Sequence, residues 1–276
     1  MPGAAGLTEA IAEARATLSA TRIKGPRYFV LTALAGYLWT ALSTCDTLLV
    51  VIESGVGRGA GPLKRVLHEC YLDAMFIASD PDPDSLAARS YLSQYRDTRA
   101  LLSEYRQVLI AHPNSNLPPA PPDVAFFDRP VPEVIKELNE ANAAHGGGAD
   151  LFTRAWDWWE WAERRRIWHW SGLGRKKMVD ALIERGKLDG RTAFIALSLT
   201  RMYNAAAHAG PPWGELPPTP DGRTEPPGLR SSDAELGQLA LSGQQLLGGL
   251  SKEVKTFFDL NTSPDRVARG IRPSTS

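Results

Sequence analysis

Thr200 to Pro212 reads "TRMYNAAAHAGPP" and carries three polar side chains at helical spacing: Arg201, Asn204 and His208. At about 100° per residue all three fall on one narrow stripe. A neutral imidazole there can take a proton from a ribose hydroxyl and return it to a leaving oxygen. Arg201 can neutralise the phosphate charge that grows between those steps, and Asn204 can orient the His208 ring. The same residues have a structural reading: Gly210 and the prolines end the helix, and His208 in its last turn meets unpaired carbonyls. Spacing leaves both readings open.

Two further stretches carry charge in a pattern. In "PLKRVLHECYLDAMFIAS" the residues Leu63, Val66, Leu67, Cys70, Ala74 and Ile77 form an apolar stripe, with Arg65, Glu69 and Asp73 opposite. Leu72 and Phe76 share that opposite wedge, so the Arg65–Glu69 pair is expected to be partly covered by another helix, with the one carrying Asp46 as the candidate cover. In "AWDWWEWAERRRIWHWSGLGRKK" aromatic rings precede and follow Arg164, Arg165 and Arg166. Bases stack on rings and phosphates pair with cations, so Arg164, Arg165, Arg166, Trp168, Trp170 and Arg175 are candidates for RNA contact. The alternative makes the tryptophans a core face and the arginines a solvated helix end.

These positions need helices to hold them. Apolar residues recur at three and four in eight segments, among them "LTEAIAEARATLSATR", "VPEVIKELNEANAAH" and "SDAELGQLALSGQQLLGGLSKEVKTFFDL", each bounded by Gly or Pro, and no segment alternates with period two. The expected fold is an all-α multi-helix bundle. An N-terminal helix occupies 1–24, one helical-bundle domain spans 25–260 with Pro-rich loops at 112–132 and 210–230, and a disordered tail covers 261–276. Tyr28 to Ile52 is long enough to cross a bilayer, but Asp46 within it would cost about 3 kcal/mol in lipid. A helix buried on all sides of a soluble bundle is expected instead.

In 276 residues, 31 Lys and Arg balance 31 Asp and Glu, so no global field draws in a polyanion. Cys45 and Cys70 sit in apolar helical patterns and read as reduced core thiols of a cytoplasmic protein. No zinc spacing, Walker sequence, dinucleotide fingerprint or nucleophile elbow is present, and neither a metal nor a cofactor is expected.

The order of "LKRVLHECYLDAMFIASDPDPDSLAARSYLSQYR", "WHWSGLGRKKMVDALIERG" and "ALSLTRMYNAAAHAG" resembles the bacterial family catalogued as domain of unknown function 5677. That resemblance implies roles for Arg65 and Glu69 on one helix, for Trp170 before a small-polar-Gly turn, and for Tyr203 and His208 at a helix end. Asn204 stands where Ser is more usual. Arg201 and His208 also look like the Arg-(four to six)-His motif of HEPN (higher eukaryotes and prokaryotes nucleotide-binding) domains. This second resemblance implies an all-α, metal-independent ribonuclease of a toxin or phage-defence type, with RNA as partner and a homodimer as the working form.

Overall fold

The computed structural model describes residues 2–57, 60–111, 124–190, 192–195, 197–198 and 231–262, and among them there is no β-strand. The helices are α1 (Pro2–Ala20), α2 (Tyr28–Glu53), α3 (Gly61–Ser79), α4 (Pro83–Ala111), α5 (Val124–Asp128), α6 (Val131–Ala144), α7 (Leu151–Arg164), α8 (Arg175–Glu184) and α9 (Asp233–Thr262). The protein is all-α. Helix α5 lies inside the stretch read from its prolines as loop, and Pro132 sits in the first turn of α6, where its missing N–H costs nothing. The segment from Gly190 is described only at its start, which Asp189 caps through the Thr192 N–H at 2.7 Å.

Four helices stop in the same way. After α2, α6, α7 and α8 the chain turns through one residue of positive φ, and two N–H groups return to the last turn's carbonyls. This is the Schellman end, whose left-handed residue is normally glycine. Gly55, Gly146 and Gly186 fill it after α2, α6 and α8, whereas Arg166 fills it after α7 with φ of 56°.

The described residues pack as two compact units. One is built from parts of Met1–Arg22, Leu34–Ser79 and Arg175–Ser276, the other from Ile23–Ala33 and Asp80–Gly174. In the first, α1 lies along α9, α9 packs on α3, and α3 packs on α8. Leu7, Ile11 and Ala14 of α1, Leu38, Leu42, Cys45 and Leu48 of α2, and Leu247 and Leu250 of α9 are buried at the expected helical spacing. Gly243 of α9 sits where a Cβ would come within 3.1 Å of both Leu48 and Leu7, so glycine permits the close approach of those side chains. Cys45 and Cys70 are free and buried.

Helix α2 departs from expectation. Its apolar face is buried, but Gly36, Trp39, Thr40, Ser43, Thr47 and Val50 are exposed, Trp39 to 64%. By length and composition it could cross a membrane.

In the second unit α7 packs against α4 and α6. Phe29, Tyr91 and Phe152 meet edge to face, with centroids 4.5 to 5.9 Å apart. The α6–α7 hairpin is fixed by Asn139, whose Oδ1 accepts the Phe152 N–H and whose Nδ2 donates to Thr153 Oγ1, both at 2.8 Å. Asp150 at the head of α7 makes no side-chain cap, so Asn139 of α6 supplies it instead. His145 ends α6 and stacks on Tyr28 at 3.9 Å.

Candidate functional site

Helix α3 places Arg65, Glu69 and Asp73 in one row by their i, i+4, i+8 spacing. Arg65 Nε donates to Glu69 Oε1 at 2.8 Å, with both side chains about one-third exposed. One turn on, Asp73 is buried and accepts from Arg175 Nη1 at 2.5 Å. Arg175 opens α8, and a second arginine of the same chain segment, Arg185, donates to the Phe76 carbonyl and Ser79 Oγ with its guanidinium 4.7 Å from the Phe76 ring. The wedge that holds Leu72 and Phe76 is therefore covered, and α8 supplies this cover. Asp46 faces elsewhere: both its oxygens accept from Arg15 Nη2 on α1, at 2.8 and 2.9 Å.

Burial pushes the Asp73 carboxyl up to about 6, against the opposing pull of Arg175, and Glu69 adds to the rise. A carboxyl in that range can gain or lose a proton near neutrality. His68, on the same helix, is buried with Nδ1 lacking a hydrogen-bond partner. Burial and the nearby Lys64 push its imidazole down to about 4, so it stays neutral. Helical spacing places Asp73 on the polar side of α3 but points to no partner for it, and Arg185 has no signal at all, because their partners lie more than a hundred residues away.

The aromatic stretch sorts into two groups. Leu151, Phe152, Ala155, Trp159 and Ala162 form the buried face of α7. Around them arginines lie on indole rings: Arg89 is 4.5 Å from the Trp158 centroid, Arg96 4.7 Å from Trp159, and Arg165 4.4 Å from Trp161. The Trp159 N–H donates to the Arg89 carbonyl and the Trp156 N–H to Glu160. At the end of α7 and beyond it, Arg164, Arg165, Arg166 and Trp168 are exposed, while Trp170 is buried. Of the six residues expected to contact RNA, Trp170 is thus packed away and Arg175 is committed to Asp73. The other four remain at the surface.

Between α6 and α7 a groove of about 650 Å³ is lined by Ile135, Asn139, Ala143, Thr153 and Trp156, with Lys136, Glu140, Asp157 and Glu160 also on its walls. Arg201, Tyr203, Asn204 and His208 lie outside the described residues.

No curated protein and no solved structure matches the chain. Residues 31–185 match a family of unknown function, DUF5677. The matched stretch contains Arg65, Glu69, Asp73, Arg175 and Arg185, together with the whole Trp/Arg region, and it ends before Arg201. With more than half of its length so matched, the chain belongs to the DUF5677 family.

Proposed function

We propose that the chain is a metal-independent endoribonuclease of the HEPN-like kind, of a toxin or phage-defence type, acting on cytoplasmic RNA as a homodimer. The observation that carries this reading is the α3–α8 row, in which an acid poised near 6, Asp73, is hydrogen-bonded to Arg175 one turn from the Arg65–Glu69 pair. Cleavage at a ribose 2′-hydroxyl needs proton exchange near neutrality and a cation for the charge growing on phosphorus, and residues of these types provide both. In the mechanism His208 takes the 2′-hydroxyl proton as the 2′-oxygen attacks. The 5′-oxygen leaves with a proton, and the product ends in a 2′,3′-cyclic phosphate. Arg201 offsets the phosphorane charge and Asn204 orients the imidazole, with Arg65, Glu69 and Tyr203 in supporting roles, while Asp46 is engaged by Arg15 of α1.

The test is purified protein with mixed RNA, with and without chelator, beside His208→Ala. Chelator-insensitive cleavage leaving cyclic phosphate ends, reduced about a hundredfold or more by the substitution, is the expected result. Cleavage that persists in His208→Ala removes that residue, and no cleavage by the wild type removes the reading.

A non-catalytic helical module is favoured by a different observation. The indoles of α7 are covered by the chain's own arginines, and the α6–α7 groove has the size of a small-ligand seat. A protein inert toward RNA whose melting temperature rises with an added small molecule, and rises no longer once Trp156 is replaced by Ala, would fit this reading instead.

A further inference from the structure

The end of α7 departs from the other three helix ends of its type. All four return the same two N–H groups; after α7 these are Arg166 N to Glu163 O and Ile167 N to Ala162 O, each at 2.9 Å. The backbone is thus equivalent, yet an arginine occupies the left-handed residue where α2, α6 and α8 place glycine. A side chain with a Cβ is disfavoured there, so Arg166 stands against the local preference. Its side chain is exposed, so burial does not offset that preference.

Two residues on, Trp168 is 72% exposed. It stands on a turn held from both sides. The Schellman bonds fix the entry, and buried Trp170 anchors the middle. At the exit Ser171 Oγ lies 2.8 Å from His169 Nδ1, donates to the Leu173 carbonyl and accepts the Leu173 N–H. Gly172, at φ of 75°, sits where a Cβ would come within 3.2 Å of Trp158. Trp161, 40% exposed with Arg165 on its face, borders the turn in sequence.

The charge is of one sign. From Arg164 to Gly174 there are three arginines and no acid. Of the acids on the last turns of α7, Glu163 is paired with Arg96 at 3.1 Å, while Asp157 and Glu160 keep their charge and line the α6–α7 groove. A guanidinium stacked on a ring, like that of Arg165, keeps its full charge. A flat exposed ring among unneutralised cations fits a polyanion that carries flat rings of its own, and only an unpaired strand can present them.

We propose that the turn after α7 is a grip for single-stranded nucleic acid, with Trp168 stacking on one base and Arg164 and Arg166 pairing with the flanking phosphates. The choice of RNA rests on the ribonuclease reading; the grip does not.

The test uses the full chain and a fluorescently labelled 12-nucleotide oligouridine, with a 12-base-pair RNA duplex as competitor, at low and moderate salt. The key variant is Arg166→Gly, which installs the residue the backbone prefers. It is expected to melt at or above the wild-type temperature while binding the oligonucleotide several-fold more weakly, with a salt dependence shallower by about 0.7 in the log–log slope. Trp168→Ala is expected to weaken binding by about tenfold or more with little change in melting. The duplex should compete poorly. Wild-type affinity in both variants, equal preference for duplex, or no oligonucleotide binding with self-association altered in the variants would each overturn the grip, the last in favour of a protein contact. Because binding is read at equilibrium, also on His208→Ala, tight binding without cleavage sinks the ribonuclease reading alone. Loss of binding in the wild type sinks the grip.

Discussion

Arginines at two places in the molecule, the α3–α8 row and the indole face of α7, are held by different means. On α3 and α8 a carboxylate holds each: Glu69 holds Arg65, and Asp73 holds Arg175. At α7 rings take that part for Arg89 on Trp158 and Arg165 on Trp161, while Arg96 lies on Trp159 and also pairs with Glu163. A carboxylate cancels the cation it binds, while a ring only orients it. The α3–α8 row is thus internally neutral and suited to moving protons, whereas Arg89 and Arg165 keep their charge on the rings that hold them. The same residue type serves acid–base poise in one place and attraction of anions in the other.

One chemical change made in both settings tests this difference. Arg175→Met keeps much of the stem and removes the cation from a carboxylate whose side chain is only 12% exposed. The expected loss is about 4 kcal/mol of unfolding free energy at pH 8, since a buried charge is left without its partner. At pH 5 the loss should shrink, because Asp73 can then stay protonated. Urea unfolding at both pH values measures it. A loss under about 1 kcal/mol, equal at the two pH values, would mean that Asp73 is not held as a charged partner.

The row also predicts how stability depends on pH. Asp73 titrates at about 6 in the folded chain against an ordinary value of 3.8, so between these values the folded state binds more protons. Its contribution favours folding at low pH and is lost as pH rises through 6. His68 has the opposite sign. Its folded value of about 4 lies below the ordinary 6.5, so its contribution is present above 6.5 and is lost as pH falls toward 4. The charged groups acting on them are Arg175 and Glu69 for Asp73, and Lys64 for His68. Each amounts to about 3 kcal/mol by linkage, and the two nearly cancel between pH 4 and 6.5. Asp73→Asn should expose the histidine, so that stability falls steeply on acidification. His68→Phe should expose the aspartate, so that stability rises on acidification. Identical slopes in wild type and both variants would show that neither group is shifted.

Much of the fold is readable from apolar spacing and its Gly and Pro stops, because those features act within a few residues. Helices α3, α4, α6, α7, α8 and α9 follow from them, as do the two free buried thiols. The orientation of α2 does not. Its hydroxyls bond the carbonyls of their own helix, Thr40 to Gly36, Thr44 to Thr40 and Thr47 to Ser43, so such residues tolerate either solvent or core, and composition cannot say which face is covered. The candidate site was half legible. The Arg65–Glu69 pair is a local i,i+4 feature, whereas the Asp73–Arg175 bond spans 102 residues, and the run "RKK" drew Arg175 into the RNA-contact group by local charge alone. Periodicity gave Trp159 its core place, but no local pattern shows that Arg89 and Arg96 of α4 lie on the rings of α7.

The smallest effect belongs to the ring-held arginine. Arg89 rests 4.5 Å from the Trp158 centroid, its Nε is buried without a hydrogen-bond partner, and desolvation lowers its pKa, partly opposed by Asp82 and Asp80. Arg89→Met loses a cation–ring contact of about 1 kcal/mol but also frees the fold from the unpaired Nε, whose desolvation costs about as much. A thioether can lie on the same indole face. The net change should stay within about 1 kcal/mol and be the same at pH 5 and pH 8, since no partner carboxylate is left behind. A cost as large as that of Arg175→Met would mean that Arg89 is held by Asp80 and Asp82 rather than by the ring, and the contrast between carboxylate-held and ring-held arginines would fail at its clearest point.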